Sequence, residues 1–253
     1  MEYEILVPRI STILGNELLE MSGGVFSSGH VTLKRGDFYV VGHNPGGNEE
    51  DPIYKNLTIR KDLENWNKKE RDDWSSFFPT DDPWRKNGKD TPHQRRVREL
   101  GKILHGTEEG IRGIFCSNAI FVRTRASHLL QRVTLLDYQE RCWQVHKVWL
   151  DIVKPRLIVC LGNDERDNAS SFALMKEWMG AQDRTVHRKD CKHPDRRRTK
   201  FVKWFDATVT VGSQEVQSSL SCRVVGVPHP SRFEIVKLDR IRSLLELMKE
   251  EIL

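Results

Sequence analysis

Three residues of this chain stand out as groups that could do chemistry: Asn44, Asn118 and His229. Asn44 lies in Gly42-His43-Asn44-Pro45-Gly46-Gly47, directly after the apolar run Phe38-Tyr39-Val40-Val41. His229 lies in Pro228-His229-Pro230-Ser231, directly after Val224-Val225-Gly226-Val227. Asn118 interrupts an otherwise apolar stretch at 112–121. A carboxamide can hold a water, or offer a donor and an acceptor together to the edge of a nucleobase. Buried, it must be hydrogen-bonded or it is costly. An imidazole held stiffly between two prolines can donate to a developing anion. The glycines around Asn44 let a ligand approach the main chain and expose N–H groups to it. Each motif alone has an ordinary reading as well. Asn-Pro-Gly-Gly makes a good tight turn, Asn118 can be satisfied by neighbouring backbone, and His229 can be a turn residue without a role.

The elements that must position these residues follow from the pattern of apolar residues. A β-branched run ending in Gly, Pro or Asn reads as a buried strand that delivers a loop to one edge of a sheet. The pattern predicts strands at 37–42, 112–121 and 157–161, with further strand material at 201–211 and 221–227. It predicts helices at 92–105, 136–153, 170–180 and 235–252. Pro92 suits a first helical turn, and Val97, Leu100 and Leu104 make an apolar stripe behind it. Buried strands alternating with helices predict an α/β fold, three layers (α/β/α) around a central, mainly parallel sheet. In such sheets ligands bind at strand ends, where the two loops lie. The first 35 residues read as an N-terminal appendage to a single domain.

The chain has 253 residues, enough to bury a substantial core. No apolar run approaches the ~20 residues of a membrane span, and Met1-Glu2-Tyr3-Glu4 does not open a signal peptide. A cytoplasmic protein without a membrane partner is expected. Its five cysteines are scattered, four of them in apolar or helical stretches, which predicts buried reduced thiols rather than a disulfide framework. The net charge of +5 is mild but uneven. Residues 184–203 concentrate basic side chains, among them Arg196, Arg197, Arg198 and Lys200. Such a block reads either as a solvated loop or as a phosphate-binding surface. His187, Cys191 and His193 lack a clear fourth ligand, so no metal site is assigned.

Taken in order, the Asn-Pro-Gly loop, the mid-chain strand with Asn118-Ala119-Ile120-Phe121 and the His-Pro-Ser loop resemble the uracil-DNA glycosylase superfamily. Lys154-Pro155-Arg156-Leu157-Ile158-Val159-Cys160-Leu161-Gly162 resembles a strand of the same superfamily. The resemblance spans residues ~37–253 as ordered motifs rather than continuous similarity. It implies an enzyme that flips a pyrimidine out of DNA and hydrolyses its N-glycosidic bond without metal or cofactor, acting as a monomer. Asn44 matches the residue that orients the attacking water, and His229 the one that stabilises charge on the departing base. Asn118 matches the reader of the pyrimidine edge. Gly42, His43, Pro45, Gly46 and Ser231 complete the implied base pocket. Arg232 and Phe233 fall where the family inserts a wedge into the vacated stack. Asn at position 44, where the most active uracil enzymes carry Asp, is most similar to the single-strand-selective and mismatch-specific branches. Arg232 departs from the usual His-Pro-Ser-Pro, and the cysteines do not suit the iron–sulfur branches.

Two features have no fixed place in that resemblance. The aromatic that would stack on the base is either Phe77 or Phe78, and both also suit ordinary core packing. Segment 52–90 is a Trp/Asp-rich insertion carrying Asn65-Trp66-Asn67, Asp72-Asp73-Trp74 and Asp81-Asp82-Pro83-Trp84. It reads either as chemistry for sugar recognition or as a surface subdomain with its own small core. The expected substrate is therefore a damaged or modified pyrimidine, extending to hypermodified phage cytosine in antiviral defence. Uracil excision in repair and a non-catalytic nucleic-acid-binding protein on the same fold are the alternatives.

Overall fold

The computed structural model describes residues 3–68, 71–81, 90–125, 135–164, 170–182, 185–191, 200–212, 217–231 and 239–252. Six strands form one sheet: β1 (Phe38–Gly42), β2 (Phe115–Asn118), β3 (Leu157–Leu161), β4 (His187–Cys191), β5 (Lys200–Gly212) and β6 (Gln217–Val227). Their order is β2-β1-β3-β6-β5-β4. The first four in that order run parallel, and β5 and β4 continue the sheet antiparallel. The sheet is thus mixed, with its parallel part confined to the half that carries the Asn and His loops.

Six helices are described: α1 (Tyr3–Leu19), α2 (Ile59–Asn65), α3 (Pro92–His105), α4 (Leu135–Val153), α5 (Ser171–Trp178) and α6 (Asp239–Ile252). Strand side chains alternate between two apolar clusters. Tyr39, Val41, Ile158, Cys160 and Val224 face one cluster, together with Ile10 and Leu14 of α1 and Trp149 of α4. Phe38, Val40, Leu157, Val159 and Val225 face the other, with Val97 and Leu100 of α3 and Leu245 and Met248 of α6. This period of two, with both faces covered, is what fully buried parallel strands require.

Four expectations change. The first 35 residues are no appendage: Leu6, Ile10, Leu14 and Leu18 of α1 are buried in the main core. The helix breaks at Gly15 (φ +74), where Nη1 of Arg141 donates to the Leu14 carbonyl at 2.8 Å. Segment 52–90 is no separate subdomain in its described part. The Trp66 ring stacks on Phe26 at 3.7 Å and its N–H donates to the Ser28 carbonyl, while Trp74 joins the same core. Trp84 lies outside the described residues. Strand β2 is only four residues long, because residues 108–113 before it wind into a 3-10 turn capped by Thr107. Finally, much of 184–203 is the β4–β5 hairpin rather than a loop, with Cys191 opposite Lys200. No helix among the described residues is long and apolar enough to cross a membrane. Cys116, Cys142, Cys160 and Cys222 are free and buried, and burial pushes their thiols up.

Candidate active site

All four parallel strands end at the same edge of the sheet. β1 runs out at Gly42, β2 at Asn118, β3 at Leu161 and β6 at Val227. Gly42 and Asn118 are direct neighbours in the register. A cleft of about 1140 Å3 opens at this edge, and its lining includes Gly42, Asn44, Pro45, Gly46, Phe77, Asn118 and Ser231. Residues as distant in the chain as Gly42 and Ser231 thus meet in one place. Chain order reverses here, with β2 on one side of β1 and β3 on the other, the usual place for a ligand in an open α/β sheet.

Asn44 is half-buried, and its carboxamide has a fixed orientation. Nδ2 donates to the Pro45 carbonyl at 3.1 Å and to Thr124 Oγ1 at 3.0 Å, with the Val122 and Thr124 carbonyls at 3.5 Å. Carbonyl oxygens only accept, so the amide nitrogen must face them, and Oδ1 is the end turned away. An acceptor so placed can hold a water. Arg123 secures the loop by donating to the Gly46 carbonyl, and its guanidinium lies 4.0 Å over the Tyr54 ring. Gly47 has φ +108, and a Cβ there would lie 2.5 Å from that ring.

Asn118 is half-buried at the end of β2. A Cβ on Gly42 would come within 2.6 Å of Asn118 Oδ1, so the glycine makes room for the carboxamide. Below it lies a buried polar chain. His146 Nε2 is 3.1 Å from the Ala119 carbonyl and therefore donates to it; Nδ1, at 2.8 Å from the Tyr39 hydroxyl, accepts. Tyr39 in turn accepts from Ser117 at 2.5 Å, and Ser117 lines the cleft. Burial is the main cause that pushes His146 down to about 4, against the pull of the Ala119 and Asn118 backbone, so the ring is neutral. Burial likewise raises the Tyr39 hydroxyl.

His229 follows β6. The Ser231 backbone N–H donates to its Nδ1 at 3.2 Å, and Ser231 Oγ lies 2.7 Å from the same nitrogen. A backbone N–H cannot accept, so in the neutral ring the proton sits on Nε2. That leaves Nε2–H as the donor of the pair. The ring stacks on His93 at 5.5 Å, and Arg96 donates to the Pro230 carbonyl. Both partners come from the first turn of α3 and the turn after it. Thr91 and Gln94 close a capping box there, and Thr91 to Gln94 line the cleft. The positive pole of a 14-residue helix therefore faces the cleft.

The other expected residues separate. Phe77 lines the cleft and Phe78 does not; the Phe78 ring lies under the Arg112 guanidinium at 3.8 Å and near that of Arg98 at 5.2 Å. His43 is buried at the start of the first loop, where its carbonyl takes the Ile120 N–H. Lys200 begins β5, and because Lys203 pairs with Gly226, that beginning lies at the cleft edge of the sheet. Arg196, Arg197, Arg198, Arg232, Phe233 and His193 lie outside the described residues.

Sequence reasoning did not single out Tyr54, Asp62, Thr124, Arg123 or His93. Asp62 had a readable signal. Ile59, Leu63 and Trp66 form the buried stripe of α2 and the turn after it, and Asp62 falls on that stripe three residues after Ile59. An acid on an apolar stripe needs partners, and Asp62 Oδ2 takes the N–H groups of Val25 at 2.7 Å and Phe26 at 3.2 Å. Arg123 and Thr124 close the apolar run 119–122, another sign of a strand end. Asp81 also lines the cleft and is paired with Arg112. Burial alone would raise its carboxyl, but the guanidinium and the Ser75 N–H hold it below the ordinary value. No protein-family model, curated protein or solved structure matches this chain.

Proposed function

We propose that this chain is a DNA base glycosylase of the uracil-DNA glycosylase type, acting as a monomer without a cofactor. The observation that carries the reading is the meeting of Asn44, Asn118 and Ser231 around one cleft at the carboxyl edge of the sheet, with His229 stacked on the lining residue His93. Asn44 Oδ1 holds the attacking water, Asn118 pairs with the edge of a flipped pyrimidine, and Phe77 packs against the base. The C1′–N bond breaks with its electron pair staying on the base, and His229 Nε2–H donates to the oxygen that takes the charge. The water oxygen bonds to C1′, and the proton it loses ends on the released base. One such preorganised donor is typically worth ~3 kcal/mol.

Size favours a modified pyrimidine over plain uracil. The cleft exceeds the ~300–1,000 Å3 usual for small-ligand sites. Its lining also includes Asn56, Lys61, Asn65 and Trp74. Hypermodified phage cytosine, carrying a bulky polar substituent, is the substrate class we assign to it, in antiviral defence in the cytoplasm. The beginning of β5 at the cleft edge supports a phosphate-gripping role for the basic residues of 184–203.

Mass spectrometry of bases released from phage DNA with modified cytosine and from uracil-containing DNA tests this. The wild type releases the modified base, while Asn44→Ala and His229→Ala slow release by about 100- to 1,000-fold. Release of uracil alone overturns the modified-base assignment. DNA binding without release of any base makes the chain a non-catalytic binder.

A further inference from the structure

The donor proposed on His229 works only if its N–H points at the oxygen that takes the charge, because a hydrogen bond weakens steeply once it bends. Ser231 meets the ring at one atom, Nδ1, and a contact at one atom does not fix the plane of a ring. A second contact comes from α3. The His93 ring stacks on His229 with centroids 5.5 Å apart and planes 26° off parallel. Gly162, just past β3, lies near the ring as well: a Cβ there would be 3.5 Å from Cδ2 of His229. His93 is four residues before Val97, so it extends the inward stripe of α3 by one turn, and it lines the cleft. Its ring also lies 6.0 Å from that of Phe77. The same two turns hold both neighbouring segments by their main chains. Gln94 Nε2 donates to the Ser76 carbonyl at 2.8 Å, Arg98 Nη1 to the Phe77 carbonyl at 2.7 Å, and Arg96 to the Pro230 carbonyl.

Resting on the glycosylase reading, we propose that His93 is a positioning residue: a flat wall, built into the start of a helix, that fixes the plane of the His229 imidazole and keeps it in register with the Phe77 face. It acts through His229 and exchanges no proton. A ring suits the task, since aromatic pairs hold preferred relative orientations that an aliphatic chain does not impose. The alignment exists before substrate arrives, so the donor need not reorganise as charge develops on the base.

His93→Phe keeps the ring face, His93→Leu keeps bulk without it, and His93→Ala removes both. On DNA carrying the base that wild type releases, His93→Leu and His93→Ala are expected to lower kcat about 30-fold, with KM within about threefold, because a small misplacement of a reacting group is costly. His93→Phe is expected to stay within about threefold of wild type. Nitrogen NMR of histidine-labelled protein at about pH 8, where an ordinary histidine is neutral, reads the ring without turnover. His229 is expected to show one tautomer, with separate Nδ1 and Nε2 signals, in wild type and His93→Phe, and signals drawn together in His93→Ala. A wild-type kcat in either His93→Leu or His93→Ala, or a His93→Phe as slow as His93→Ala, overturns the proposal alone. So does a His229 signal pattern that is unchanged in His93→Ala. A wild type that releases no base overturns the glycosylase reading, whereas the NMR pattern still decides whether His93 holds His229.

Discussion

Gly42 shows how a site can depend on a missing side chain. Its place at the end of β1 was legible from the apolar run before it, but its position opposite Asn118 and the reason for glycine were not. That reason is the 2.6 Å that a Cβ would leave to Asn118 Oδ1, a contact between strands distant in sequence. The obstructed atom is the tip of a movable side chain, so the fold can yield while the site cannot. Gly42→Ala is therefore expected to shift the melting midpoint by only a few degrees and to raise KM for the proposed base release about tenfold or more. A comparison of thermal melting with steady-state kinetics checks it; a large loss of stability with unchanged KM would show a backbone role instead. Asn44, Asn118 and His229 could be picked out by residue type. Thr124 and Arg123 could not be tied to Asn44, because what joins them is a loop crossing over another loop.

The elements differ in how openly the sequence declares them. α3 was readable to its ends, since Thr91, Pro92 and Gln94 cap it and Gly106 (φ +84) stops it. β2 was overextended, because Ile111 and Ile114 look like strand residues yet one belongs to a 3-10 turn and the other follows it. α1 was missed: Pro8 and Gly15 interrupt its pattern, and the partner that stabilises its break, Arg141, is far along the chain. The 71–81 stretch read as a polar insertion because its Asp residues look solvated, whereas Asp81 is buried against Arg112 of the turn before β2. That ion pair fastens the stretch carrying Phe77 to the core. Arg112→Leu would leave the Asp81 carboxylate buried without its cation, with an expected loss of about 3–5 kcal/mol in denaturant unfolding. A loss below about 1 kcal/mol would show that water reaches Asp81.

For the molecule as a whole, the α/β class followed from composition and period, but the mixed sheet did not. The β5–β6 pairing depends on register, which apolar pattern alone leaves open. The buried chain Ser117–Tyr39–His146 was also invisible, since a lone His in a helix gives no sign of its partners. It has a consequence for the fold's response to acid. His146 sits at about 4 when folded and near 6.5 when unfolded. As pH falls below about 6.5 the unfolded chain binds the proton first, so stability is lost down to about pH 4 and the contribution is flat outside that window. The loss from this group is about 3 kcal/mol. The melting midpoint of the wild type should fall more steeply across that range than that of His146→Gln; parallel curves would contradict a buried neutral ring.

The seam between β3 and β6 gives the molecule the character of a two-key lock. Asn44 and Asn118 belong to the stretch that ends with β3, and His229 to the stretch that β6 leads into. Neither stretch holds a complete site, and five register pairs between these two strands bring them together. A partly synthesised or clipped chain therefore holds only part of the proposed site. In the proposed function, base removal, a reaction hazardous to the cell's own genome, is available only to the chain that has closed its sheet.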